Sequence, residues 1–363
     1  MTATITILLV TTENQVTTGI ARLLRSLRDA SLRLASCQPQ EITEYDFAAL
    51  SLVLIDNELP AGGTLGLVDT IAALPEHPPI ILLCEPKVES MRAMLAGLDA
   101  GADDFLPRPS ENFQMDPNIL SSCIAERVDA YARQRSLPDR AALDKLEAKH
   151  IKAVSQHINV VALGLGTGGT KALLAIIPQL PKRIRVACLV VLQAPPLFIA
   201  PLSEAVAERS PVEIFLARHH LDIIPGRLIL ASSAMQMGVI KCDSRYLIEH
   251  TFADTVSGQL PSIDYLFRTI ADTCGSEALC VLMTGCGNDG VSGLRLLKSK
   301  GAIILGQHPE TNAAPERVVQ AIDLAMFTEV VPLARMAKRI REIVSLSEAK
   351  QKEKVTAKAK TAK

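Results

Sequence analysis

The chain has 363 residues, too many for one ordinary hydrophobic core, so two domains are expected. Apolar residues make up 48% and charged residues 21%, a globular composition, and a formal net charge of −1 gives no global electrostatic case for nucleic acid or an acidic surface. Trp is absent and aromatic residues are only 3%, which argues against a base-stacking platform.

Ile5 to Val10 reads as a buried strand, and Ile20, Leu23, Leu24 and Leu27 follow with helical spacing. Leu32 to Ala35 and Leu52 to Ile55 read as further strands, before a helix through Leu65, Val68, Ile71 and Ala72. Ile80 to Leu83 is another strand, with a helix through Val88, Met91, Leu95 and Leu98. A short strand near Phe105 precedes a helix through Leu120, Ile124 and Val128. This alternation predicts an open, doubly wound parallel sheet over 1–132. Residues 133–157 turn charged while Leu143, Leu146 and Ile151 keep roughly helical spacing, which reads as a helical linker.

A second α/β series fills 158–346. Its strand candidates are Val160 to Leu163, Val186 to Leu192, Leu228 to Ala231, Leu279 to Met283 and Ala302 to Leu305. Helices fit Thr170 to Ile177, Ile263 to Ala271, Val291 to Lys298 and Leu333 to Val344. Residues 347–363 are rich in Lys, Ala and Glu and lack apolar content, so a disordered basic tail is expected. The eight cysteines form no C-x-x-C pair and mostly sit in apolar runs, as free thiols of a reducing cytosol would. No apolar run approaches the ~20 residues of a membrane span, and the polar start is no signal peptide. The expectation is a cytoplasmic, soluble protein with no membrane insertion.

Reactive groups of open α/β sheets sit where strands end. In the first half that edge offers Asp56 after Leu52-Val53-Leu54-Ile55, and Asp103-Asp104 at another loop. Three stretches, Ile7 to Val10, Leu54-Ile55-Asp56 with Leu59-Pro60, and Gly101 to Pro109, resemble the receiver domain of two-component response regulators. The resemblance implies Asp56 as phosphoacceptor and a Mg²⁺ held by an acidic pair after the first strand. Thr11 and Thr12 stand at that pair's positions, and neutral hydroxyls are poor sole ligands for so hard a cation. Glu13, next in line, is expected to point away. The family's Thr/Ser and Lys are Cys84 and Arg108 here. No cofactor or metal is therefore expected, and productive phosphorylation of Asp56 is not.

In the second half, Gly164-Leu165-Gly166-Thr167-Gly168-Gly169 is a literal G-x-G-x-x-G between strand and helix. A dinucleotide site needs an acid some 20 residues on, and Thr170 to Ser203 contains no Asp or Glu. A wider match covers nearly the whole second half. Leu163-Gly164 with Thr167 to Thr170, Pro195 to Phe198, Pro225-Gly226, Pro261 to Asp264 with Leu266-Phe267, and Leu282 to Gly290 together resemble the catalytic domain of chemotaxis protein-glutamate methylesterases (CheB). That family also carries an N-terminal receiver.

The resemblance implies acyl transfer by a serine, a histidine base and an orienting aspartate. The serine position is Gly166 and the histidine position is Ala194, while the aspartate is retained as Asp289. The resemblance also implies an oxyanion site at Thr167 and Cys286, the latter in the loop carrying Asp289. Groove positions Ser257 to Leu260 and Gln307 to Asn312 depart from the family pattern. His219 and His220 read as solvated loop residues.

The expected function is that of a catalytically silent regulator, binding chemosensory receptors, a chemotaxis kinase or other array proteins. Two alternatives stay open. One is an active ester hydrolase with Thr167 or Cys286 as relocated nucleophile. The other is nucleotide binding by the glycine turn.

Overall fold

A computed structural model describes residues 4–27, 31–109, 116–132, 143, 151, 154, 156–232, 235–252 and 260–361. The chain divides into two compact units, one of Met1–Arg135 with Leu197–Ala205, the other of Ser136–Pro196 with Val206–Lys363.

The first unit is built on five strands, β1 (Ile5–Val10), β2 (Leu32–Cys37), β3 (Leu52–Asp56), β4 (Ile80–Cys84) and β5 (Asp104–Pro107). They form one sheet in the order β2-β1-β3-β4-β5, and every pairing is parallel. This is the 2-1-3-4-5 order of flavodoxin-like folds. β3 and β4 are buried at all five positions, as strands covered on both faces must be, and their runs Leu-Val-Leu-Ile and Ile-Ile-Leu-Leu are continuous rather than alternating. Helix α1 (Asn14–Ser26) closes one face by burying Val16, Ile20, Leu23 and Leu24, four residues along one stripe. Helices α2 (Gly63–Ala72), α3 (Val88–Ala100) and α4 (Pro117–Arg127) complete the layers. Asp104 is not a loop residue: it opens β5, is buried, and pairs with Arg127 Nε at 3.2 Å.

The second unit carries a seven-stranded parallel sheet in the order β14-β13-β12-β6-β7-β9-β8. Its strands are β6 (Val160–Leu165), β7 (Ala187–Leu192), β8 (Glu213–Leu216), β9 (Arg227–Leu230), β12 (Ala278–Leu282), β13 (Ile303–Gln307) and β14 (Glu329–Val331). A separate antiparallel hairpin joins β10 (Gln236–Cys242) to β11 (Arg245–Thr251), turning through Asp243 at φ +53°. Its helices are α5 (Gly169–Ile176), α7 (Ile263–Thr273), α8 (Val291–Ser299), α9 (Glu316–Asp323) and α10 (Leu333–Thr361); α6 (Ile199–Ala207) lies within the Leu197–Ala205 segment and its next two residues. Leu189, Ile229, Phe267, Leu282 and Leu294 belong to one buried core. Strand order reverses between β6 and β12, where Gly164 faces Leu282 across the ladder. Such a reversal opens a crevice at the carboxyl ends of the two strands.

Sequence periodicity does not reveal β8, β14, the hairpin, α6 or α9. The expected disordered tail is corrected as well: α10 continues to Thr361. Met336, Ala337, Ile340, Ile343 and Val344 anchor its first half in the unit. Beyond them Ala, Lys, Glu and Gln are good helix formers with no Gly or Pro, so an anchored helix propagates without a new nucleus. The expected linker helix lies mostly outside the described residues, Leu146 included; Leu143 is helical and buried, and Ile151 accepts from Arg339 Nη2 at 2.7 Å.

Candidate functional site

Four segments meet where the order of the large sheet reverses. β6 ends at Leu165 and the chain turns through Gly166-Thr167-Gly168 into α5, with Gly168 at φ +76° as the helix N-cap. The Gly166 N–H donates to Thr284 O at 2.7 Å, and Gly166 O accepts from Gly169 N at 2.7 Å, so the turn is clamped from both sides. β12 leads into Thr284 to Asp289, β7 into Gln193-Ala194, and α9 presents Arg317 from its first turn.

Asp289 is 2% exposed and its carboxylate is fully engaged. Oδ1 accepts from Ser262 Oγ at 2.8 Å and Asp264 N at 3.1 Å, while Oδ2 accepts from Ile263 N and Gln193 Nε2, both at 2.7 Å. A carboxylate offers about four lone-pair positions, and four donors take them. Three of those donors belong to the start of α7, where a negative charge is favourable. The aspartate therefore fastens the loop after β12 to the N-terminus of α7. Of these four donors, Gln193 Nε2 is the one that comes from the end of β7.

Gly166 and Ala194 stand in this same neighbourhood, and neither offers a nucleophile or a base. The space beside Gly166 is filled. A Cβ there would stand 2.8 Å from Arg317 Nη2, 3.0 Å from Gly285 Cα and 3.1 Å from Gln193 Oε1. Arg317 is 2% exposed and packs against Gly285, where an added Cβ would clash with the Arg317 guanidinium. Its Nη2 donates to Gln193 Oε1 at 2.9 Å and to Cys286 O at 2.6 Å. One guanidinium thus covers the glycine turn and holds Gln193 in place on Asp289.

The remaining candidates are tied to the framework. Thr167 is buried and its carbonyl accepts from Thr284 Oγ1 at 2.8 Å, while Thr284 Oγ1 accepts from Ala314 N at 3.0 Å. Cys286 is half-buried, and its carbonyl is the acceptor for Arg317. Asp264 is buried; burial pushes its carboxyl above the usual range, the Asp289 charge adds to this, and the Gly293 N–H at 2.6 Å opposes it. His219 and His220 are exposed and stack at 3.9 Å, and His219 Nδ1 accepts from His250 N of β11, so their contacts run to the hairpin. Of the groove segments, Leu260 is exposed while 253–259 lie outside the described residues. Gln307 and His308 are buried, and Gln307 Nε2 donates to Thr311 O at 2.6 Å.

Sequence reasoning missed Arg317 and the bridging role of Gln193. The available signal was a basic residue just after Pro315-Glu316 at a helix start, where the helix dipole disfavours positive charge.

In the first unit, Asp56 ends β3 and is 1% exposed. It accepts hydrogen bonds from Arg108, the Thr11 hydroxyl and the Glu58 N–H. Cys84 is fully buried and burial pushes its thiol well up. Glu13 does not point away: its Oε1 lies 2.6 Å from Arg108 Nη2, drawn in by that charge while its N–H donates to Thr11 Oγ1.

Residues 161–340 match the sequence profile of the CheB methylesterase family. The chain is 28% identical over 312 residues to a protein-glutamate methylesterase/protein-glutamine glutaminase of Desulfotalea psychrophila, spanning 81% of this chain and 86% of that one. It is 29% identical over 248 residues to a protein of the same description from Bdellovibrio bacteriovorus, spanning 67% and 70% respectively. The crystal structure of the Thermotoga maritima CheB methylesterase catalytic domain aligns with a TM-score of 0.49 and 24% identity, over 52% of this chain and 99% of that one. Among the described residues no helix is long and apolar enough to cross a membrane. The chain is thus similar to protein-glutamate methylesterases over most of its length, and its residues 161–340 are similar to the CheB methylesterase family.

Proposed function

We propose that this chain is a non-catalytic relative of the protein-glutamate methylesterases, a cytoplasmic regulator that binds a chemosensory receptor or another array component without hydrolysing its methyl esters. The observation that carries the reading is the filling of the nucleophile position: Gly166 has no side chain, and the Arg317 guanidinium stands 2.8 Å from where its Cβ would be. Acyl transfer needs a nucleophile within reach of a base, and the base in turn oriented by a third group. Ala194 supplies no base, and the Asp289 oxygen that would orient one accepts from Gln193 instead. Two members of a triad that acts as a unit are gone, which leaves at most the small residual rate of binding and oxyanion contacts.

The test has two arms. Co-sedimentation with membranes carrying chemosensory receptors is expected to give saturable binding of the full chain; no retention by receptors or kinase overturns the partner. An ester-directed covalent probe is expected to leave the protein unlabelled. Labelling that disappears on Thr167→Ala or Cys286→Ala overturns the silent reading and makes that residue the nucleophile.

A further inference from the structure

The acidic pocket of the first unit carries its own cation. Asp56 Oδ1 accepts from Arg108 Nε at 2.8 Å and from Glu58 N at 3.1 Å. Oδ2 accepts from Thr11 Oγ1 at 2.7 Å and from Arg108 Nη2 at 3.1 Å. Four donors fill the four lone-pair positions of the carboxylate. The same guanidinium lies 2.6 Å from Glu13 Oε1 and 3.4 Å from Glu85 Oε1. One planar fork therefore bridges Asp56, Glu13 and Glu85, with Lys87 also pairing with Glu85, a spread of contacts that a single ammonium could not make. Burial works against the Arg108 charge, yet Asp56 and Glu13 more than offset it and hold the guanidinium above its ordinary value.

A Mg²⁺ ion does not fit these residues. It needs carboxylate oxygens at about 2 Å in near-octahedral geometry, and a guanidinium already donates along the directions it would use on Asp56. Thr11 is a neutral hydroxyl with no negative charge to offer, and its O–H already donates a hydrogen bond to Asp56. Among the described residues no group of three His, Cys, Asp or Glu side chains is placed to hold a metal ion. Phosphoryl transfer to Asp56 would require one oxygen to release its donors and attack phosphorus, with no divalent cation to offset the incoming charge.

We infer that Arg108 is a resident counter-ion that closes the Asp56 pocket to both Mg²⁺ and the phosphoryl group, so that the first unit keeps one state independent of phosphorylation. The inference rests on the first unit alone and stands or falls separately from the esterase reading.

The experiment uses the full chain. Calorimetric titration with Mg²⁺ alone and intact-mass analysis after incubation with acetyl phosphate and Mg²⁺ are expected to give no saturable heat and no phosphoryl adduct. Saturable binding at low millimolar Mg²⁺, or an adduct lost on Asp56→Asn, overturns the inference. Arg108→Ala leaves Asp56, Glu13 and Glu85 without their shared cation, so its melting temperature is expected to rise with added Mg²⁺ while that of the wild type does not. A variant equally indifferent to Mg²⁺ would show that Arg108 is not what excludes the ion. Arg108→Gln, closer in shape, gives the same readout where the alanine variant does not fold.

Discussion

Asp56 and Asp289 sit in different units and at corresponding places in their sheets, each beside the strand at which the order reverses. Both carboxylates are buried, and both have four donors on four lone-pair positions. The donors differ. Asp56 is met by a guanidinium and forms a buried ion pair, whereas Asp289 is met by neutral groups and by the start of a helix. In the second unit the arginine stands one residue further off, passing its hold through Gln193. The comparison teaches that a buried aspartate at the end of a sheet can have all its oxygens held by the framework in two ways, by a charged fork or by the start of a helix.

The comparison breaks first, and with the largest expected effect, at the reaction itself. Gly166→Ser/Ala194→His should stay at background, because Arg317 still covers the turn and keeps Gln193 on Asp289. Adding Arg317→Ala frees both, and methanol release from methylated receptor should rise roughly 10²-fold or more, the contribution of a working general base. Equal rates for the double and triple variants would show that Arg317 is not the obstruction.

Next come the two carboxylate anchors. Arg108→Ala breaks a buried pair and should cost about 3–5 kcal/mol, read by urea unfolding of the full chain. Asp289→Ala strands the Ser262 hydroxyl and two buried N–H groups at the start of α7 and should cost about 2–4 kcal/mol. A mere leftover of catalysis would cost nothing, so an Asp289→Ala chain as stable as wild type would refute the anchoring role.

A smaller effect tests the crowding at the turn. Gly166→Ala should destabilise by about 1–2 kcal/mol, and Arg317→Ala in the same chain should recover part of it, giving a coupling near 0.5–1 kcal/mol. Additive effects would mean that Gly285 Cα, not Arg317, sets the limit.

The strands buried on both faces were legible, because β3, β4, β6, β7 and β12 are unbroken apolar runs that only a covered parallel sheet tolerates. β14 has three residues at a sheet edge and β8 is only partly buried, so neither carries enough apolar signal. That Gly166, Ala194, Asp289 and Asp56 lie at or beyond the ends of their strands was legible through motifs. Arg317 and the inward turn of Glu13 were not, since where a long side chain ends depends on which strands meet beneath it. The tail was misread for a related reason: composition speaks to whether a segment nucleates a helix, not to whether one reaches it already formed.

The smallest effect is a pH dependence at Asp264. Its folded-state carboxyl is raised by burial, so between its ordinary value of 3.8 and its raised one the folded chain binds more protons than the unfolded chain. The Asp264 contribution to stability should therefore fall as pH rises through that window, so Asp264→Asn should gain more stability, or lose less, than the wild type as pH rises. A variant that gains less than the wild type would reverse the sign assigned to burial.

The most direct measurement is methanol release from methylated chemosensory receptor by the unaltered chain, against receptor alone. A site filled at Gly166 and empty at Ala194 should give the rate of receptor alone at every protein concentration. Release that scales with protein, and that Thr167→Ala or Cys286→Ala abolishes, would mean that the nucleophile moved rather than vanished.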